Sequence, residues 1–491
     1  MSTIETGAGP ASPSPGPERV RKRERPASGA SSKFAFPGFA AFLLILALAP
    51  LWYGSVPTAP RIFMAIALVM TGFFMVLRHL SNGEGFAISA SSVKVPLVCC
   101  LLVSLWALAQ AFIPVSPGIG DLVWPLAGEG LQMPVPVHIS GAPADTLLAV
   151  FTLVLITLVF VIAEQFGSDP LRAIAGLRTI SLVAAGYAVW GLVDHFVGWN
   201  MVLYEAKDRF SVANLGGYVS STFRNADHFA DFCVIGLACT ASLLLRDLRR
   251  MQDKLSLGSN KLADFAMPSL DSAILAILGT ALWLSRSRAG IATALLTMLV
   301  VFIIAAVRLY RAGKRGMFFA ILAAALLGIV ALTGVALESQ AGFSRISTLG
   351  QSASTRWLLY RTIGSASLDN PLFGTGFGAF RDAFTVYRTS DLGFGAYWNS
   401  AHNIYLEAVF GLGYPMAFVL FAGVGWVVWR VMSGAIIRRQ HVAAPTAACA
   451  ALVGLLVHGL VDYGLQVPAV AVVLAALAGF GCAQSWSSRK T

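Results

Sequence analysis

Apolar residues in this chain fall in long runs separated by short polar breaks. About twelve runs approach 20 residues, near 37–54, 61–78, 95–114, 146–164, 177–197, 229–245, 268–285, 289–307, 317–336, 403–429, 443–463 and 466–484. A run of that length crosses the ~30 Å hydrocarbon core of a bilayer as a helix. The pattern therefore predicts an all-α, polytopic membrane protein of about twelve transmembrane helices. It breaks down most fully between the ninth and tenth runs. Residues 338–402 are polar and rich in Arg and Gly, and the segment ends on Ala401, His402 and Asn403 before the chain turns apolar again. Loops this long are usually functional or disordered. Arg356, Trp357, Arg361, the segment from Asp369 to Gly378, and Tyr387 do not make a disordered composition.

Composition agrees with the pattern. Of 491 residues, 57% are hydrophobic and 12% charged, with a mean hydropathy of +0.73. Soluble domains carry about 25% charged residues. Three parts are expected: a basic, disordered cytoplasmic tail over 1–35, a membrane domain over 36–485, and a short cytoplasmic tail over 486–491. The first tail does not read as a cleaved signal peptide, because its basic region is far from the start and the first apolar run is long enough to stay as an anchor. The six cysteines all lie in or beside apolar runs and read as small core residues, without a disulfide framework or metal spacing.

The net charge of +11 would suit nucleic acid, but its placement does not. Basic residues cluster between Arg19 and Arg25, between Arg246 and Lys261, between Arg308 and Arg315, and at Arg430, Arg438 and Arg439. With twelve spans, all four clusters share one side. The positive-inside rule makes that side the cytoplasm, with both termini on it, where the clusters face anionic lipid. Nucleic acid is set aside as a partner.

The same topology puts 55–60, 115–145, 198–228, Ser285 to Arg288, 338–402 and the short turn 464–465 on the outer face. The 115–145 segment has no Lys or Arg. Three of the others break the rule. Lys207, Arg209 and Arg224 occupy one, Arg286 and Arg288 the next, and Arg345, Arg356, Arg361, Arg381 and Arg388 the long loop. Positive charge at membrane helix ends on the disfavoured side points to function. Taken alone, Arg286 and Arg288 would also serve as interfacial anchors reaching to headgroups.

Guanidinium groups grip phosphate with a planar fork of donors. Several arginines with one histidine at a membrane edge suit a lipid-linked phosphate or diphosphate, and His402 is placed to exchange a proton with bound substrate. Asp369, Asp382, Asp391, Asp227 and Asp231 form no Asp-x-Asp motif, so no metal or other cofactor is expected. The glycines at 374, 376 and 378 are no dinucleotide fingerprint. They read as a tight turn after a short helix begun near Ser354, which would put Arg356 and Tyr360 on one face. His458 and Asp462, four residues apart near the end of the eleventh run, read as a satisfied pair or as lining the site.

These residues are familiar. The chain resembles the bacterial O-antigen ligase and polymerase family, polytopic enzymes that move glycans from undecaprenyl diphosphate. Ser221 to Ala230 resembles its GTF-x-N-x-N-x-F-A loop, although Ala226 and Asp227 depart from the Asn-rich pattern. Ser285 to Gly290 resembles its S-x-SR-G turn, and Arg356 to Phe380 its R-x-x-x-W … P-L-x-G-x-G-x-G-x-F stretch, with Tyr360 at the aromatic position. His402, Asn403 and Gly413 resemble its final motif, where Met416 replaces a glycine. The likeness covers roughly residues 210–465 and implies a fold near the many-helix GT-C-like membrane glycosyltransferases.

The resemblance also implies roles. Arg288 and Arg356 would hold the lipid diphosphate, with Arg286 beside them, and His402 would activate the acceptor hydroxyl, without a metal ion. Arg361, Arg224, Asn403 and Tyr360 are expected to bind substrate. The implied partners are an undecaprenyl-diphosphate-linked glycan donor, a lipid A-core or growing polysaccharide acceptor, and membrane lipids, with the site on the periplasmic face of the bacterial inner membrane. Ligase and polymerase share these motifs; the outer arginine pair and the His-Asn motif follow the ligase pattern. A secondary transporter ranks behind both. It would carry charged or broken helices at mid-membrane, whereas the mid-span positions here read as almost uniformly apolar.

Overall fold

A computed structural model of the chain describes residues 31–81, 90–197, 217–259, 261–313, 316, 355–392 and 398–486. Among them there is no strand, and the membrane helices follow the hydropathy pattern closely. In chain order they are α1 (Ser31–Leu48), α2 (Thr58–Ser81), α3 (Ala90–Phe112), α4 (Val123–Leu131), α5 (Pro143–Gly167), α6 (Pro170–Val197), α7 (Ala226–Ser256), α8 (Ala263–Leu284), α9 (Arg288–Arg311), α10 (355–366), α11 (Phe380–Ala383), α12 (Ile404–Ile437), α13 (Ala443–His458) and α14 (Pro468–Ala483). Eight of the described helices, α2, α3, α5 to α9 and α12, are long and apolar enough to cross a membrane. Pro37–Leu48, α13 and α14 are apolar but shorter. The expected ninth span at 317–336 lies outside the described residues, as do Lys207, Arg209 and Arg345. Helix α1 begins at Ser31, inside the expected tail.

Helix α7 is the axis of the bundle. Over its apolar window 89% of residues are buried, whereas α2 buries only 22% of its own. The outward face of α2 carries Ile62, Phe63, Ile66, Val69, Phe73 and Phe74, all exposed, at the spacing of one helical face. Such a stripe is stable only against lipid. Helix α14 is buried almost throughout and packs along α5. There a Cβ on Gly479 would overlap the Phe160 carbonyl oxygen, so the two backbones touch. Small residues at the contact allow the close approach that drives helix association in lipid. All six cysteines are free and at least half-buried.

The spans are less uniformly apolar than the sequence pattern implied. Arg178 of α6 reaches across to Asp247 of α7 at 2.7 Å and also pairs with Asp271 of α8. Arg246 closes the network on Asp247 at 2.6 Å. Asp271 is fully buried. Arg178 and Asp271 lie in the first turn of their apolar runs and Asp247 just past the end of its own, and they tie three helices together.

The described part of the long loop is folded. Leu359, Ile363 and Ala366 of α10 pack with Phe380, Phe384 and Phe410 into a core separate from that of the membrane bundle. Phe380 stacks on Phe384 at 4.9 Å and meets Phe410, a residue of α12, edge-on at 5.6 Å. The loop is thereby anchored on α12. The Gly374–Gly378 turn docks on the same helix where Gly413 breaks it at φ 74°. Thr375 N donates to Phe410 O at 3.0 Å and Gly376 N to Gly411 O at 3.0 Å. Buried Gln110 of α3 bridges both sides, donating to Gly411 O at 2.8 Å and accepting from Phe377 N at 3.1 Å. Gly374 has φ 70°, and a Cβ there would overlap the Gly411 carbonyl oxygen. Gly374→Ala is expected to destabilise the loop by about 1–3 kcal/mol, read as a lower midpoint of thermal unfolding in detergent.

Candidate active site

Three loops and three helix ends meet at one end of the bundle. Asn403 begins α12, its Oδ1 accepting from Tyr405 N and Leu406 N at 3.0 Å each. Its Nδ2 donates to Leu460 O at 3.0 Å, which joins the start of α12 to the 459–467 connection. Ser287 begins α9 in the same way, accepting from Gly290 N at 2.9 Å. Asn225 begins α7, accepting from Asp227 N at 2.9 Å. Val219 N donates to Leu284 O at 3.0 Å, which draws the 217–225 loop to the end of α8. Each loop holds one non-glycine residue in the left-handed region: Ser221 (φ 51°), Arg286 (φ 56°) and His402 (φ 50°). Such conformations cost roughly 1–3 kcal/mol and gather at working sites.

His402 stands at the centre. Its Nδ1 lies 3.6 Å from Asp462 Oδ1, and its side chain is 30% exposed against 5% for Asp462. Tyr463 stands edge-on to His402 at 5.0 Å and to His228 at 4.7 Å, a bracket between two imidazoles. His228 Nε2 faces the other oxygen of Asp462 at 3.8 Å. Burial pushes the Asp462 carboxyl upward, but the facing His402, with the His228 and His458 imidazoles, outweighs it and holds the group below the usual carboxylate range. A carboxylate facing Nδ1 favours the tautomer that carries its proton there. The Nε2 lone pair is then free to take a proton from substrate.

Behind this pair lies a second one. His458 Nδ1 and Asp231 Oδ1 are 2.5 Å apart, both nearly sealed from solvent. Gly464 closes over them, and a Cβ at that position would overlap the Asp231 carboxylate. The sequence reading of His458 and Asp462 as a mutual pair is corrected here. Helix α13 ends at His458, so Asp462 leaves the helical face and turns to His402 and His228. His458 pairs instead with Asp231, on α7.

Asp231, His458 and Asp462 bring one ligand-type atom each to within 4.8 Å of the others. These are the residues best placed to hold a metal ion. The contact between Asp231 and His458 argues for a hydrogen-bonded pair, since two donors about 2.1 Å from one metal lie about 3 Å apart.

Two tyrosines adjoin His402, each with an arginine acting on it. Tyr360 of α10 donates its hydroxyl to His402 O at 2.7 Å and Leu460 O at 3.2 Å, fixing the loop onto the site. Burial raises the Tyr360 phenol, and Arg356 draws it back down. Burial likewise raises Tyr463, with Arg224 acting against it. Arg356 and Arg224 are thus electrostatically coupled to the two tyrosines that touch or bracket His402. Arg286 and Arg288 are exposed on the adjoining turn, where Arg286 Nη2 would lie 3.8 Å from a Cβ on Gly217. Arg361 is exposed on α10. Sequence reasoning passed over Asp462 as a partner of His402, and with it His228, Asp231 and Tyr463. The available signal was ionisable residues within or just beyond apolar runs, which in membrane helices mark function by default.

The bundle and this histidine-centred end define a polytopic integral membrane protein. The chain matches the O-antigen ligase family over residues 273–422, which supports a likeness to the O-antigen ligase and polymerase family. That match supports, in general, a glycan transferase of the O-antigen ligase and polymerase type. No curated protein matches it.

Proposed function

We propose that the chain transfers a saccharide from undecaprenyl diphosphate to an acceptor hydroxyl on the periplasmic face of the bacterial inner membrane. The observation that supports this most is the His402–Asp462 pair, set among Arg356, Arg224, Arg286 and Arg288 at one end of the bundle. In this reading His402 Nε2 takes the acceptor proton as the hydroxyl oxygen attacks the anomeric carbon. The bond from that carbon to the diphosphate oxygen breaks, and the lipid diphosphate leaves with the electron pair. Arg288 and Arg356, with Arg286 beside them, meet the charge that develops on it, a preorganised stabilisation that needs no reorganisation during reaction. Asp462 holds the imidazole in register and stabilises its protonated form. Asn403 and Tyr360 act mainly by positioning His402.

The first reading is a ligase that passes finished O-antigen to lipid A-core, and the second a polymerase that extends repeat units. A deletion strain separates them. Polymer missing from lipid A but retained on the lipid carrier supports the ligase, and single-repeat caps support the polymerase. Transfer by purified protein from a lipid-linked donor tests both, and is expected to survive prolonged chelation of divalent cations. Loss on chelation, restored by a metal, would assign Asp231, His458 and Asp462 as ligands instead.

A further inference from the structure

The opposite end of the bundle holds a cavity of about 460 Å³ between α6, α7, α9 and the connection before α13. Eighteen residues of α7 separate Asp231 from Arg249, about 27 Å at 1.5 Å per residue, so this cavity is remote from His402. Five arginines line it: Arg246, Arg249, Arg250, Arg308 and Arg439. The one acidic residue in its lining is Asp253. Two of the arginines are already engaged. Arg246 is paired with Asp247 at 2.6 Å, and Arg308 donates to the carbonyls of Ala435 at 2.9 Å and Arg438 at 2.6 Å. Arg249, Arg250 and Arg439 are exposed, and their side chains make no hydrogen bond or ion pair with any described residue, although the Arg439 carbonyl accepts from Arg308 at 3.2 Å.

So much positive charge around one cavity repels itself unless an anion enters. Leu171 and Ile174 of α6 with Ile304 of α9 add apolar faces to the lining beside the arginines. Leu171 is 75% exposed, so the apolar wall runs out to the surface of the bundle. Arginines beside apolar faces in one cavity match an amphiphile with a phosphate head. Guanidinium forks bind phosphate oxygens in pairs, and basic pockets between membrane helices are suited to anionic headgroups.

We propose that this cavity binds a phosphate ester through Arg249, Arg250 and Arg439, with the head of an anionic phospholipid or a free phosphate as its source. The test uses the full chain purified in neutral detergent. Thermal unfolding is followed with added phosphatidylglycerol, phosphatidylcholine, or sodium phosphate at matched ionic strength. Phosphatidylglycerol is expected to raise the midpoint by several degrees and phosphatidylcholine to leave it unchanged. Protection by phosphatidylglycerol alone identifies the headgroup as the source, and equal protection by sodium phosphate identifies the free anion. In Arg249→Gln/Arg250→Gln/Arg439→Gln the apparent affinity should fall about tenfold or more. Should that variant not fold, Arg439→Gln alone is compared with the parent chain by native mass spectrometry for retained phosphatidylglycerol. Protection or retention that persists undiminished in the variants overturns the proposal, as does absence of protection by either phosphate.

Discussion

Replacing His402 with alanine is expected to lower glycan transfer by about 10²–10⁴-fold while the lipid-linked donor still binds, the range that a lost general base commands. In the proposed reading the donor is held by arginines on other segments, so the loss should appear in kcat more than in KM. Asp462→Asn should cost a comparable factor, because an amide facing Nδ1 no longer fixes the imidazole tautomer or stabilises its cation. The two residues act as one unit, so the double variant should be no worse than His402→Ala alone. Independent, multiplying losses would show that Asp462 serves something other than His402. A structural role would be visible separately. The Asp462 carboxyl lies below its ordinary range in the folded chain, so its contribution to stability is complete above the unfolded value of about 3.9. That contribution is lost only as pH falls through the lower folded value. The difference in unfolding midpoint between the parent chain and Asp462→Asn should therefore shrink as pH falls below about pH 4.

The second large effect concerns stability. Arg178→Met leaves Asp271 buried without its partner and deprives Asp247 of one of its two. Breaking a buried ion pair from one side costs about 3–5 kcal/mol, because a desolvated charge is left behind. The variant should unfold at a much lower temperature, and adding Asp271→Asn should recover part of the loss. Asp247 lies sixteen residues along α7 from Asp231, about 24 Å, so transfer per folded molecule should stay near that of the parent. A normal midpoint for Arg178→Met would mean that water already reaches this network.

By itself the sequence settled the character of the chain, because helix formation in lipid depends on nearby residues. Any run of about twenty apolar residues must satisfy its own backbone hydrogen bonds. The spans near 61–78 and 403–429 and the turn at Gly374 to Gly378 could therefore be read from local pattern. His402, Arg224 and Arg356 were legible as unusual charges in the polar segments between apolar runs. Their common surroundings were not. Asp462 faces His402 across sixty residues of chain, and Asp231 meets His458 across more than two hundred. Those meetings are decided by how α7, α12 and α13 pack, which no single segment encodes. Helical periodicity placed His458 and Asp462 on one face, and the end of α13 between them sent each to a different partner. The same holds for Arg178 and Asp271, which look like ordinary residues near span ends until three helices close around them. Hydropathy, a property of each segment, fixed what crosses the membrane, while side-chain convergence, a property of packing, decided which polar groups were gathered at its two ends.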